Sequence, residues 1–318
     1  MIRIILALGA CVACAAFAQD FPSRPVRIVV PWPPSGNVDI TARTVAPAFA
    51  EALGTQVIVD NLAGAGGRIG TSAVAKASAD GYTLLLGSSG TITSGPAVFK
   101  NLSYDPVKDF VAIGAIQSVP IVLTAAPKTP VANYKEFVAL ATSKPGQLSI
   151  ASAGSGSSNH LAIELLMRQA NLKLLHIPYK GSGPAITDLL GSQVETMMDQ
   201  LTASIEHIRS GRIKALAVSS KTRSPLLPQV PTLDELGVTG YEASTFTGIF
   251  GPAGIPAASV EKLYKALHTA LANPKVRERY LSMGVEVMDM SRTEFAAYVH
   301  TDYEKWRKIA REGNIVVE

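Results

Sequence analysis

The chain has 318 residues, 47% of them hydrophobic and 17% charged, with 29 Lys and Arg against 25 Asp and Glu. That length can bury enough apolar surface for one large or two medium domains without disulfides. The formal charge of +4 is a mild excess, no Lys/Arg cluster is interleaved with aromatics, and no nucleic-acid partner is expected.

Residues 1–18 carry Arg3, an unbroken apolar run over 4–17 and the small-x-small triplet Ala16-Phe17-Ala18. This is the pattern of a secretory signal peptide cleaved after about Ala18. A lipoprotein reading through Leu8-Gly9-Ala10-Cys11 leaves an apolar 12–18 tail behind the cysteine and fits less well. Both cysteines, Cys11 and Cys14, leave with the segment, which rules out disulfides, Cys-ligated zinc and a Cys nucleophile in the mature chain. Taking Arg3 alone from 29 basic residues, against 25 acidic ones, leaves +3. Past residue 18 no apolar run reaches membrane-spanning length.

In chain order, 26–30 is a β-branched run ended by Pro31, the pattern of a buried parallel strand. A helix is expected over 38–53, stopped by Gly54 and kinked at Pro47. Strands follow at 57–59 and 83–86, a spacing that reads as βαβ units in a mainly parallel sheet. The pattern restarts after Pro130 with a helix at 134–143, a strand at 148–150, a helix at 159–170 and a strand at 174–177. Gly183 before Pro184 opens a helix to Leu190, with the proline at the first helical position. Strands are expected at 194–198 and 215–218, then a Pro-rich connector at 224–228 and a strand at 245–250. Asn273-Pro274 caps one later helix, and Ser291-Arg292-Thr293-Glu294 is a capping box for the last. That last helix places Phe295, Val299, Trp306 and Ile309 near one stripe, which reads as core packing.

Two such α/β units, with connectors near Val119-Pro120 and Pro225, predict two lobes joined by crossing strands. The expected division is 19–122 with 225–318 as one lobe and 123–224 as the other. Ligands of these sheets sit beyond the carboxyl ends of the strands, here in a cleft that a hinge closes.

Polar loops follow several strands. Pro31-Trp32-Pro33-Pro34-Ser35-Gly36-Asn37-Val38-Asp39 is stiffened by its prolines and runs into a helix, whose free N–H groups and positive dipole end attract a carboxylate. Asn37 or Asp39 either caps that helix or meets the ligand. The loop over 62–70 carries Gly64, Gly66 and Gly67, but a dinucleotide G-x-G-x-x-G fails at Ile69 counted from Gly64 and at Arg68 counted from Gly66. Gly87-Ser88-Ser89-Gly90-Thr91 and the run from Ser152 through Ser155, Ser157 and Asn159 to His160 offer hydroxyls and backbone N–H groups to an oxyanion. The nucleophile elbow G-x-S-x-G fits neither loop, meeting Thr91 in one and Gly156 in the other. His160, His176, His207, His268 and His300 show no close ligand pair and no H-E-x-x-H, so no metal or cofactor is expected. His176 reads as packed in a strand, and His160 as placed near a ligand. Tyr179-Lys180-Gly181-Ser182-Gly183 repeats the strand–loop–helix arrangement, and Asp199 follows Met197-Met198 at another strand end, either fixing a ligand amine or hydroxyl or capping the turn.

Motifs separated along the chain carry a family resemblance. They are 21–31 with the Pro-Pro-x-Gly-x-x-Asp loop at 33–39, Val59-Asp60-Asn61 with Gly64-Ala65-Gly66-Gly67, and Asp80-Gly81-Tyr82-Thr83-Leu84-Leu85. Tyr104-Asp105-Pro106-Val107-Lys108-Asp109-Phe110, Pro178-Tyr179-Lys180-Gly181 and Gly191-Ser192-Gln193-Val194 follow in order. From about Phe21 to the C-terminus the sequence resembles the Bug receptors, the TctC-like extracytoplasmic solute receptors of tripartite tricarboxylate transporters. The resemblance implies a type II periplasmic-binding-protein fold of two α/β lobes with a carboxylated ligand in the cleft, a periplasmic location, no catalysis and a monomer. It also implies that loops matching Pro33 to Asp39 and Ser88 to Thr91 hold one carboxylate, partly through ordered water. Residues matching Ser152 to His160, Tyr179 to Gly181, and Asp199 face the variable end. Where the family usually has a second glycine and often Phe, this chain has Ser35 and Trp32, and the Ser35 side chain either adds a hydrogen bond or crowds the carboxylate.

The expected function is capture of a mono- or dicarboxylate, an amino acid or an aromatic acid for a membrane transporter. Two other readings stand beside it: a receptor that reports ligand occupancy to a sensor protein, and an exported serine hydrolase using Ser155 or Ser157 with His160.

Overall fold

The computed structural model describes residues 21–317, so the expected signal peptide at 1–18 lies outside the described residues. The Val/Ile run of β1 (Val26–Val30) lies between β2 (Val57–Asn61) and β3 (Thr83–Ser88), parallel to both. Parallel neighbours need crossover connections, supplied by α1 (Asn37–Leu53) and α2 (Arg68–Ala75). Gly54 ends α1 in the left-handed conformation at φ 71°, and α1 continues as one helix through Pro47.

β4 (Phe110–Val119) runs to Pro120, and β5 (Ile121–Ala125) starts on the other side of it. Then come α3 (Tyr134–Ser143), β6 (Ser149–Ser152), α4 (Ser158–Gln169), β7 (Leu175–Pro178), α5 (Ser182–Leu190), β8 (Thr196–Gln200), α6 (Leu201–Arg209) and β9 (Lys214–Val218). The chain ends with β10 (Thr245–Pro252), α7 (Ala257–Ala272), α8 (Pro274–Ser282), β11 (Glu286–Val287) and α9 (Arg292–Gly313). The strands form two sheets, ordered β11-β4-β10-β3-β1-β2 and β7-β6-β8-β5-β9. This is the expected pair of α/β lobes.

Strands β4 and β5 were not read from the sequence. Gly114, Gln117 and Pro120 break the apolar run there, and burial on both faces removes the alternation that marks a half-exposed strand. α5 begins at Ser182, so Pro184 is its third residue and not its first. Asn273 and Ser291 cap α8 and α9 as expected; the Ser291 hydroxyl accepts from Glu294 N, while the Glu294 carboxylate accepts from Ser291 N.

Each lobe has its own core. The first gathers Ile28, Phe49, Leu84, Leu267 and Tyr280, and the second Phe137, Ile150, Leu161, Leu166 and Tyr241. α9 spans both: Phe295 meets Phe246 edge-on at 5.8 Å in the first lobe, while Trp306 lies in the second core. Its expected single stripe is thus shared between two cores. Leu233, Val238, Tyr241 and Trp306 pack in the second core, although the division 19–122 with 225–318 puts them in the first lobe. Residues of 219–244 pack on the second core before the chain enters β10.

Between the lobes, Ser219 ties the crossings together. Its hydroxyl accepts from Ile121 N at 2.8 Å and donates to Ala243 O at 3.2 Å, joining the start of β5 to the segments leaving β9 and entering β10.

Candidate functional site

The carboxyl ends of β1, β3, β6, β7 and β8 point toward one junction between the lobes, and four of these strands lead into helices α1, α4, α5 and α6. First-turn N–H groups have no intrahelical partners, so each helix start offers donors there. A cavity at the junction is lined by Trp32, Pro33, Gly36, Asn37, Val38 and Ser88 of the first lobe and by Ala153, Ser158, Gly181, Ser182 and Gln200 of the second. About 30 Å³ of it is open to the centres of water-sized spheres, space for a water or two. The lobes touch beside it. A Cβ at Gly181 would sit 2.8 Å from Pro33 Cγ, and one at Gly66 2.8 Å from Ser155 O, so glycine permits this approach.

On the first lobe, Gly36 caps α1 without a side-chain bond, so neither Asn37 nor Asp39 is the cap. The buried Asp39 carboxylate accepts from Ser35 N at 2.9 Å, Arg43 Nε at 2.9 Å and Asn61 Nδ2 at 3.0 Å. Burial alone raises its pKa, but the hydrogen bonds from Arg43, Ser35 and Asn61 outweigh that and hold the carboxyl below its ordinary value. Asp39 therefore fastens the loop. It faces, with Pro34 and Ser35, a wider groove on the outer side between α1 and α8. Ser35 takes the left-handed conformation, φ 69°, where a glycine would carry no strain.

Asn37 does reach the cavity, with its Oδ1 held by Gln117 Nε2 at 2.9 Å. Trp32 forms wall as well, its ring edge close to Gly67 and Gly90. Of the third loop only Ser88 lines the cavity. Ser89 Oγ accepts from Phe246 N and Thr91 Oγ1 accepts from Ser88 N, so these two hydroxyls secure the wide helical turn at 89–93.

On the second lobe, Ser157 caps α4: its hydroxyl accepts from His160 N and donates to Gly154 O at 2.7 Å. The His160 ring turns away from that hydroxyl, taking Gly156 N–H on Nδ1 at 3.1 Å and stacking on His176 at 4.2 Å. Ser155 is exposed on the rim. The Ser–His contact that does exist joins buried Ser152 to His176 Nε2 at 2.7 Å, behind the loop. Burial, with the neighbouring His160, pushes the His176 pKa down to about 4. Tyr179 donates to Asp188 at 2.7 Å and Lys180 is exposed; neither lines the cavity.

Asp199 lies fully buried one layer behind the wall. Its Oδ1 accepts from Ser182 Oγ and Asn159 Nδ2, both at 2.7 Å, and Gln200 Nε2 donates to Asn159 Oδ1 at 2.7 Å. Desolvation raises its pKa to about 6 against the pull of those hydrogen bonds. Ala153, Ser158, Gly181, Ser182 and Gln200 form the second-lobe wall, and of these only Gln200 falls outside the runs Ser152–His160 and Tyr179–Gly183 that the sequence singles out. The available signal was position: each lies at or just past a strand end that opens a helix. No Lys or Arg lines the cavity, so its donors are neutral amides, hydroxyls and helix starts.

Known proteins resemble this arrangement. Residues 41–315 match the model of the tripartite tricarboxylate transporter family receptor, TctC. Protein BugT of Bordetella pertussis is 35% identical over 318 residues, covering 98% of both chains. Among solved structures, the periplasmic binding protein BugD is 38% identical with a TM-score of 0.90, covering 94% of this chain and all of its own. Rpa4515 of R. palustris with adipate is 32% identical with a TM-score of 0.90, covering 93% of this chain and 99% of its own. MatC from Rhodopseudomonas palustris with bound malate is 33% identical with a TM-score of 0.87, covering 91% and 99%. The match of family model and fold over nearly the whole described chain makes this protein a member of the TctC family, the receptors of tripartite tricarboxylate transporters.

Proposed function

We propose that this chain captures a small carboxylate between its lobes in the periplasm, carries out no reaction on it, and delivers it to a membrane-embedded tripartite transporter. The observation that carries this reading is the meeting of helix starts from both lobes at one cavity walled by neutral donors. Each helix N-terminus favours an anion by about 0.3–1 kcal/mol, more where water is excluded, and several together suit one carboxylate without a cationic side chain. Adipate and malate in related structures fit this chemistry. Ser157 and His160 do not form a hydroxyl–imidazole pair, which favours binding over hydrolysis. In this reading residues 1–18 direct export and are removed after about Ala18, and the protein acts as a monomer. The second lobe takes in 219–244 and the distal half of α9. Ser35, Asp39, Ser89, Thr91, Asn159 and Asp199 hold wall and loops in place, while Trp32, Asn37, Ser88, Ser158, Ser182 and Gln200 meet the ligand.

A thermal-shift series over dicarboxylates, amino acids, aromatic acids and citrate tests the reading. An acid at a hundred times its Kd adds about 2.7 kcal/mol to stability, roughly 5 °C for a chain of this size. A flat response to every acid class would count against the receptor reading.

A further inference from the structure

Asp199, near the end of β8, lies where three helices begin. Asn159 sits in the first turn of α4, Ser182 opens α5, and Gln200 caps α6. Asp199 Oδ1 accepts from Asn159 Nδ2 and Ser182 Oγ, both at 2.7 Å. Asp199 Oδ2 is buried without a hydrogen-bond partner among the described residues.

No cationic side chain answers this charge among the described residues. The neighbouring strands β5 and β6 carry no titratable residue. On the helices packed against β8, the titratable groups are His160, Glu164 and Arg168 of α4, Asp188 of α5, and Glu206, His207 and Arg209 of α6. His160 takes Gly156 N and faces Glu164, Asp188 takes the Tyr179 hydroxyl, and Arg209 lies beside Glu206. None of them is hydrogen-bonded or ion-paired to Asp199, whose charge rests on two neutral side chains and on the helix starts. Burial pushes its pKa up to about 6 in spite of those hydrogen bonds.

A carboxylate in the cavity draws on the same helix starts and on the Ser158 and Ser182 hydroxyls of the wall. Ser182 Oγ serves both the wall and Asp199, so a single hydroxyl separates the two anions. Two negative charges this close, with no cation between them, favour taking up a proton. We propose that the receptor captures its carboxylate together with one proton, which passes from solvent to Asp199 Oδ2. This rests on the carboxylate-receptor reading and names what enters with the anion. The new O–H neutralises the bare oxygen, and an unpaired neutral hydroxyl costs less than an unpaired charge. A neutral carboxyl also accepts more weakly, which releases the Ser182 hydroxyl to turn to the ligand. The bound state then holds more protons than the free one. Affinity is therefore greatest at acid pH and falls as pH rises from the free to the bound pKa of Asp199.

Calorimetry near neutral pH, in buffers of different ionisation heat, counts the protons taken up when succinate, malate or adipate binds the purified exported protein. Each acid that binds is expected to bring in about half a proton, and its affinity to fall about fivefold to tenfold between roughly pH 6 and 8. In Asp199→Asn the uptake disappears and the affinity is flat over this range. Difference infrared spectroscopy needs no variant: in protein labelled with carbon-13 at its aspartate carboxyls, adding the same acid brings up a protonated-carboxyl band shifted by the label. Binding without proton uptake, uptake that survives in Asp199→Asn, or a band that ignores the label overturns the inference and leaves the receptor reading intact. If no acid binds, the receptor reading falls and this inference with it.

Discussion

Asp199 and His176 are titratable groups whose burial acts in opposite directions on stability. Asp199 has its folded pKa raised to about 6, above roughly 3.9 for an unfolded carboxyl. Its contribution is fully present below about pH 4 and is lost as pH rises through 6. His176 is depressed to about 4, so its contribution is present above roughly 6.5 and is lost as pH falls through 4. Between pH 4 and 6 the two oppose each other. Denaturant unfolding across this range is expected to show Asp199→Asn gaining on the wild type toward neutral pH, by up to roughly 3 kcal/mol. His176→Gln should lose the fall toward acid and unmask the Asp199 trend. A difference from wild type that stays constant with pH in both variants contradicts the assignment. At this scale the sequence was informative about Asp199, which lies near the end of an apolar strand, yet not about Gln200 beside it. What makes Gln200 a wall residue is the Asp199–Asn159 network across 40 positions, which no local pattern carries.

At the level of elements, the cap chemistry was the most legible. Asn273-Pro274 and the Ser291–Glu294 box fix helix starts through bonds within a few residues, and both appear as expected. The helix after Trp32 was legible too, but Gly36 caps it, because Asp39 is drawn back to Ser35, Arg43 and Asn61. Strands β4 and β5 and the path of 219–244 were not legible, since their order depends on which lobe each segment crosses into. Those crossings converge on Ser219. Its hydroxyl holds Ile121 N and Ala243 O in a buried position, so Ser219→Ala strands both groups and should cost about 1–3 kcal/mol in urea unfolding. If the site is a working hinge, small-angle scattering of this variant should show a wider spread of lobe separations. An unchanged scattering curve together with unchanged stability contradicts the clamp.

For the whole molecule, the lobes behave as two cores joined by strand crossings and by α9, which reaches from Phe295 in one to Trp306 in the other. Such a connection permits bending while limiting how far the lobes separate, the mechanical setting for closure on a ligand. The two-lobed class was readable from the restart of the β–α pattern after Pro130. The cleft was readable in outline, because strand ends that open helices are anion sites in either lobe. Which side chains face the cavity was not, because that depends on two loops from different lobes coming within contact distance at Gly66, Gly181 and Pro33.

The chain has two tryptophans, Trp32 in the cavity wall and Trp306 in the second core. Tryptophan fluorescence titrated with small carboxylates therefore tests the central claim directly. The account predicts a saturable change in emission that disappears in Trp32→Phe, with Trp306 unmoved. No change with any acid, or a change that persists in Trp32→Phe, contradicts carboxylate capture at this cavity.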